Sequence, residues 1–140
     1  MNRFWPGLIT LLALVLLAGC SSKPTDEAIR DQVTARLQQE YRSAIFEVVN
    51  FAKVNGIPRD RNTYIAEVEY DLRFKVGLDG AAQALQQAGE GLFSAGLKAA
   101  ALGVTYGDFK AGDLRHKKER VRFVRSEKGW LIDEEDENRR

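Results

Sequence analysis

Side chains able to support catalysis are few and scattered in this sequence. His116 is the only histidine and Cys20 the only cysteine. A structural or catalytic zinc site needs at least three protein ligands, and a hydroxyl or thiol nucleophile needs a base within hydrogen-bond reach. His116 lies among basic residues with no metal-ligand spacing around it, which predicts a surface histidine. We therefore expect no metal, no cofactor and no enzyme activity.

Paired carboxylates are the second chemical candidate. Glu67, Glu69 and Asp71 alternate with apolar residues, and residues two apart on a strand share a face at a spacing of about 6–7 Å. Acid–base chemistry can use such a pair. However, Arg73 and Lys75 continue the same face, which is typical of a solvated strand with basic partners on its neighbour.

The densest basic stretch lies within residues 115–125. Such a patch suits anionic lipid headgroups, lipopolysaccharide or an acidic partner. The favoured alternative is a hydrated strand neutralised by the acidic residues of a neighbouring strand and by the acidic residues that begin at Asp133. The basic members are Arg115, Lys117, Lys118, Arg120, Arg122 and Arg125.

The amino terminus has the organisation of an export signal. Arg3 precedes an almost wholly apolar run at residues 8–17, and ten residues are too few to cross a membrane, which takes about 20. The following Leu17-Ala18-Gly19-Cys20 resembles the lipobox of bacterial lipoprotein precursors. The resemblance implies that Cys20 receives a diacylglycerol, that cleavage occurs before it, and that its amino group is acylated, for example with palmitate.

These features predict a chain organisation and a cellular address. The divisions are a signal peptide at 1–19, a lipidated tether at 20–24, one α+β domain at 25–134 and a charged tail at 135–140. Two or three acyl chains anchor a protein stably, and serine at positions 21 and 22 favours, by the same resemblance, the periplasmic face of the outer membrane over the inner membrane. Without Arg3, 20 basic residues face 20 acidic ones, which argues against nucleic-acid binding.

The mature chain predicts a helix followed by strands. Thr25 is placed as an N-cap, and Ile29, Val33, Leu37 and Tyr41 form an apolar stripe on a helix of about 17 residues. Strands are predicted at 45–54, 64–76, 114–125 and 130–132, with a connection at 55–60. The Ala/Gly-rich insert at 78–112 favours helix around 81–88 and 92–102, interrupted by glycines.

This order predicts an α+β fold in which the N-terminal helix packs on a curved antiparallel sheet of about four strands, with the insert as a helical addition. The pattern resembles cystatin-like and NTF2-like folds. The closing segment from Arg122 to Asp133, with its Gly129-Trp130 turn, is similar to the last hairpin of NTF2-like lipoproteins of unknown function. The insert departs from that pattern.

Two functional hypotheses follow. The leading one is a non-enzymatic interaction module of the cell envelope, held at the membrane by its lipid and binding an envelope protein. A helix or lid that covers the core is the favoured interpretation of the insert, and Lys98 as its only basic residue around 81–104 argues against a helix lying on the membrane. Partner binding is the chief functional alternative for the insert, with Leu85, Leu92, Phe93 and Leu97 as the contact residues. The alternative hypothesis is a pocket for a small apolar ligand, with weak hydrolase or isomerase activity, lined by aromatic residues that otherwise form the core: Tyr64, Tyr70, Phe74, Phe123 and Trp130.

Overall fold

Seven helices and strands are described in the computed structural model, which covers residues 22–134. The signal peptide, Cys20 and the charged tail at 135–140 lie outside the described residues. The elements are, in order, α1 (Asp26–Glu40), β1 (Phe46–Pro58), β2 (Thr63–Phe74), α2 (Leu78–Gln87), α3 (Leu92–Tyr106), β3 (Leu114–Ser126) and β4 (Gly129–Ile132).

The strands form one antiparallel sheet in the order β1-β2-β3-β4, so each strand pairs with its neighbour in the chain. The predicted α+β class, with a curved four-stranded sheet, is confirmed. β4 pairs only with the last four residues of β3. Gly129 begins β4 with a φ of +99°, a conformation that glycine adopts without steric cost.

A single core lies on one face of the sheet. The even-numbered side chains of β2, from Tyr64 to Phe74, are all buried, as period-2 alternation requires. They pack with Ile29 and Val33 of α1 and with buried residues of α2 and α3. All three helices therefore cover the same face, and the opposite face of the sheet is left to the solvent.

Helix α1 is held at its start and at its side. The Thr25 hydroxyl accepts a hydrogen bond from the Ala28 N–H at 3.1 Å, which confirms the predicted N-cap. The Gln32 amide fastens the helix to β4, because it donates to the Trp130 carbonyl at 2.7 Å and accepts from the Ile132 N–H at 3.0 Å. Both amide atoms of Gln32 thus act as sheet partners for the short edge strand.

Strand β1 is longer than predicted. The expected connection at 55–60 was wrong, because the strand continues to Pro58 and the pairing with β2 absorbs two bulges. Gly56 belongs to the strand for a packing reason. A Cβ at Gly56 would overlap the Tyr64 hydroxyl, so the glycine makes room for a core ring that crosses the backbone.

The insert forms two packed helices, as its composition predicts. Gly89 and Gly91 lie between α2 and α3, whereas Gly96 and Gly103 lie inside α3. Gly103 permits close packing of the two helices, since its missing Cβ would lie 3.3 Å from Leu78 of α2. Gly89 and Gly91 therefore separate the two helices, and Gly103 lets them pack closely. Neither role applies to Gly96.

Candidate functional site

The outer face of the sheet is a ladder of cross-strand ion pairs. Glu67 accepts from Arg120 at 2.7 Å, and Glu69 pairs with Lys118 at 2.6 Å. These residues face one another in the β2–β3 register. The prediction of a solvated strand with basic partners is confirmed, and the carboxylates are engaged in ordinary sheet stabilisation.

His116 continues this ladder. Its Nδ1 lies 2.9 Å from Asp71 Oδ1, and its side chain is 54% exposed, as predicted for a surface histidine. Hydrogen bonds from Asn50 and then His116 lower the pKa of Asp71, so the carboxyl group is ionised at neutral pH. The flanking residues on this face of β3, Leu114 and Lys118, offer no hydroxyl or thiol for an imidazole base to activate.

The basic stretch of β3 is divided between the two faces of the sheet. Arg122 pairs with Asp133 at 3.3 Å on the outer side, whereas Lys117 lies over the Tyr106 ring of α3 at 5.3 Å on the helix side. Strand alternation separates these cations, so they do not form one continuous patch. Within residues 22–134, no three His, Cys, Asp or Glu side chains are grouped so as to hold a metal ion.

The aromatic residues expected around a ligand pocket lie in the core. Tyr64, Tyr70, Phe74 and Phe123 are buried, and Trp130 packs partly buried with its ring 6.3 Å from that of Tyr64. These residues therefore fill the core, which is the other role predicted for them. Burial also raises the pKa of Tyr70, which keeps its phenol neutral.

Two open grooves are lined by polar residues. One, of about 620 Å³, crosses the outer face of the sheet, and its lining includes the ion-paired Glu67, Glu69, Lys118 and Arg120. The other, of about 730 Å³, lies between α1 and β4 beside Gln32 and Arg36. None of the five predicted pocket residues lines either groove.

The insert residues predicted to bind a partner separate into two groups. Leu85 was wrongly assigned, because its side chain is fully buried and packs α2 into the core. Leu92, Phe93 and Leu97 lie at the surface, with exposed fractions of 77%, 79% and 56%. The prediction missed Val104, which is 89% exposed.

These exposed side chains form one continuous apolar surface on α3. Phe93, Leu97, Ala100 and Val104 follow one another at intervals of four, three and four residues, which places them on one side of a helix. We call the whole set the exposed α3 face: Leu92, Phe93, Gly96, Leu97, Ala100, Ala101 and Val104, all of them exposed.

The exposed α3 face carries no charge in a chain of which 29% is charged. Lys98 is the only charged residue of the helix. Its ammonium group is directed away from this face, toward the Glu40 carbonyl at 2.9 Å and Glu90 at 2.7 Å. Contiguous exposed apolar surfaces of this kind are typical of sites that contact proteins, membranes or ligands.

Gly96 lies within this face, and no contact among residues 22–134 requires a glycine there. Apart from its chain neighbours and the adjacent backbone of α3, no described atom lies within 4 Å of the position its Cβ would occupy. Glycine in a helix interior costs up to about 1 kcal/mol relative to alanine. The cost brings no packing benefit inside the domain, whereas a missing side chain on an outward face lets another surface approach the helix backbone closely.

Helix α3 is mounted firmly behind this face. Ala95 and Leu102 are fully buried on its opposite side, and the Tyr106 ring packs edge-on against Phe74 at 5.4 Å. Gly107, with a φ of +70°, ends the helix. Because α3 is apolar on two opposite sides, one side joins the core and the other is presented outward.

Glu90 joins α3 to the α1–β1 connection. Its carboxylate accepts from Lys98 at 2.7 Å, from the Ser94 hydroxyl at 2.7 Å and from Arg42 at 2.9 Å, and only 9% of the side chain is exposed. These hydrogen bonds lower the pKa of Glu90 from 4.5 to about 2. Ser94 and Lys98 follow Glu90 at intervals of four residues, but Arg42 comes from a distant segment, so no sequence motif signals the whole cluster.

The Glu90 cluster predicts a pH-dependent stability. Because the folded-state pKa lies below the unfolded value, the stabilisation is fully present above pH 4.5 and is lost as the pH falls from 4.5 toward 2. We expect Glu90→Gln to lower the thermal midpoint at pH 7 and to flatten the loss of stability over this range, measured by circular dichroism. Glu127→Gln, in the exposed β3–β4 turn, is the matched control and should leave the midpoint at pH 7 unchanged. Equal effects of the two substitutions would contradict the assignment.

The described helices include none that is long and apolar enough to cross a membrane. The fold and the site define a small α+β domain whose helices lie on one face of the sheet. Its distinguishing feature is the exposed α3 face. Searches against protein-family models, curated proteins and solved structures find no match. Resemblances to the lipobox and to NTF2-like proteins remain predictions.

Proposed function

We propose that this protein is a lipid-anchored, non-enzymatic interaction module of the bacterial cell envelope, and that it binds its partner through the exposed α3 face. The observation that supports this proposal is the exposed α3 face itself. It is an uncharged, apolar helix surface on a domain whose other surfaces are rich in paired charges. An aqueous monomer gains nothing from exposing Phe93, Leu97 and Val104 together, whereas a binding site requires such residues.

The proposed anchor and the exposed α3 face have separate roles. Acyl chains on Cys20 would hold the domain at the periplasmic face of the outer membrane. Confinement there raises the effective concentration of the domain toward partners in the same envelope. The exposed α3 face then supplies the contact, and the rigid packing of α3 reduces the entropy lost on binding.

The alternative hypothesis, a pocket for a small apolar ligand, has no comparable support. Sites for such ligands are concave and mainly apolar. The aromatic residues expected to form one pack with each other in the core, and the two grooves are lined largely by charged and amide side chains.

Site-specific photo-crosslinking in living cells tests the proposal. A benzophenone amino acid in place of Leu97 of the full-length chain should give a discrete crosslinked product. The matched control is the same replacement at Val54, which is 55% exposed, against 56% for Leu97, but lies on β1. We expect no product from position 54.

A second substitution adds a physical criterion. Val104→Lys would bury an ammonium group in an apolar contact, so it should reduce the product from position 97 by at least about tenfold. Equal products from positions 97 and 54, or none from position 97, would rule out the exposed α3 face as the binding site.

A further inference from the structure

The exposed α3 face has an internal symmetry. Phe93 and Val104 lie equally far from the midpoint of the helix segment between Lys98 and Ala99, and so do Leu97 and Ala100. When two such helices pack antiparallel about a two-fold axis through this midpoint, Phe93 of one faces Val104 of the other, and Leu97 faces Ala100.

The paired residues differ in size in a complementary way. Each contact matches a larger side chain with a smaller one, and the flanking Gly96 then faces Ala101. Near the axis, Leu97 of one copy packs against Ala100 of the other, and the small residues Gly96 and Ala101 beside them let the two helix backbones approach closely. A surface that is complementary to itself under a two-fold rotation is the requirement for an isologous dimer.

Charge does not oppose this pairing. Lys98 is the only charged residue of α3, and it lies close to the proposed axis along the helix. Its ammonium group is bound to Glu90 and to the Glu40 carbonyl, on the flank that faces α1. Two copies therefore meet without bringing these cations into the contact.

We infer that the partner of the exposed α3 face is a second copy of this chain. The inference deepens the proposed function and rests on it. A single contact between two helices of about 22 Å is small beside the ~1,200–2,000 Å² of stable interfaces in solution. Confinement on a membrane would supply the concentration that such a contact needs.

The geometry specifies a disulfide test. In the antiparallel pair, residue 100 of each copy lies one and a half positions beyond the midpoint, so the two Cα atoms are separated by about 4.5 Å along the helix and roughly 6 Å in total. This distance is suitable for a disulfide bond. Ala100→Cys in the full-length chain, oxidised in isolated cell envelopes, should give a species of twice the chain mass.

Two further variants make the test specific. Ala111→Cys places a thiol at another exposed position, outside the exposed α3 face, and should give only background dimer. Gly96→Leu, added to Ala100→Cys, blocks the close approach and should lower the dimer yield about tenfold. Its thermal midpoint should be equal or higher, since the position is open.

The outcomes separate this inference from the proposed function. Dimer from Ala100→Cys that Gly96→Leu suppresses supports the inference. Disulfides formed only with proteins of another mass overturn the second copy as partner and leave the interaction module standing. No product above the Ala111→Cys background overturns the second copy as partner, and the crosslink from position 97 then decides the proposed function on its own. A dimer that Gly96→Leu does not reduce overturns the proposed packing geometry. A palmitate label on the same band reports separately on the anchor.

Discussion

Phe74→Ala should lower the free energy of unfolding by about 3–5 kcal/mol, because it removes a fully buried ring from the centre of the core. Phe74 is 1% exposed, and its ring stacks on Phe109 at 4.0 Å and meets Phe46 at 6.0 Å. The ring of Tyr106 at the end of α3 also packs against it. Urea unfolding followed by circular dichroism measures the change.

The chain provides a matched control of the same residue type. Phe93→Ala removes an identical side chain that is 79% exposed, so it should change the unfolding free energy by no more than about 0.5 kcal/mol. If the two substitutions had equal effects, the assignment of one ring to the core and the other to the solvent would be wrong. Amide exchange in α3 should rise in Phe74→Ala only, since that ring joins the helix to the sheet.

Cys20→Ala should abolish acylation and release the protein from the membrane. The proposed diacylglycerol contributes about 0.8 kcal/mol of membrane affinity per buried methylene, and the substitution removes the thiol that would carry it. The measurement is metabolic labelling with a palmitate analogue, combined with fractionation of the cell envelope.

Ser22→Ala is the neighbouring control and should keep both the label and the membrane fraction. An unlabelled wild-type protein would exclude the lipoprotein assignment. A label that persists in Cys20→Ala would place acylation at another residue.

The sheet and its ion pairs were predictable because strand alternation is unambiguous. In β2, every second residue from Tyr64 is apolar and the intervening residues are mainly charged. One face of the strand therefore had to be buried and the other exposed to solvent. The sequence also predicted that the basic partners of Glu67 and Glu69 lie on a neighbouring strand. It did not predict which residues of the two strands face each other. The same regularity identified the charged face as structural.

Helix α3 shows where such reasoning stops. A helix with one apolar stripe defines its buried side, but α3 is apolar nearly all round, so its periodicity does not distinguish inside from outside. Within α3, Leu97 is exposed and Leu102 is fully buried, and only tertiary packing separates them. Val104 was missed for the same reason.

Strand β1 was predicted too short because its turn-forming residues have tertiary explanations. Asn55 donates its amide to Glu67 at 2.9 Å, and Gly56 makes room for the Tyr64 ring. Both contacts are made with β2, so the residues next to Asn55 and Gly56 in the chain do not predict them. The Glu90 cluster was unpredictable in the same way, since Arg42 and Glu90 are far apart in the chain.

Helix α1 has a consequence for how far the domain can act from its proposed anchor. Its 15 residues span about 22 Å, and its last carbonyl, that of Glu40, is bound by Lys98 of α3. Residues 20–24 add at most about 17 Å when fully extended. An acylated Cys20 would therefore set a working radius of about 40 Å around each lipid, and only envelope components within that depth of the leaflet would come within reach.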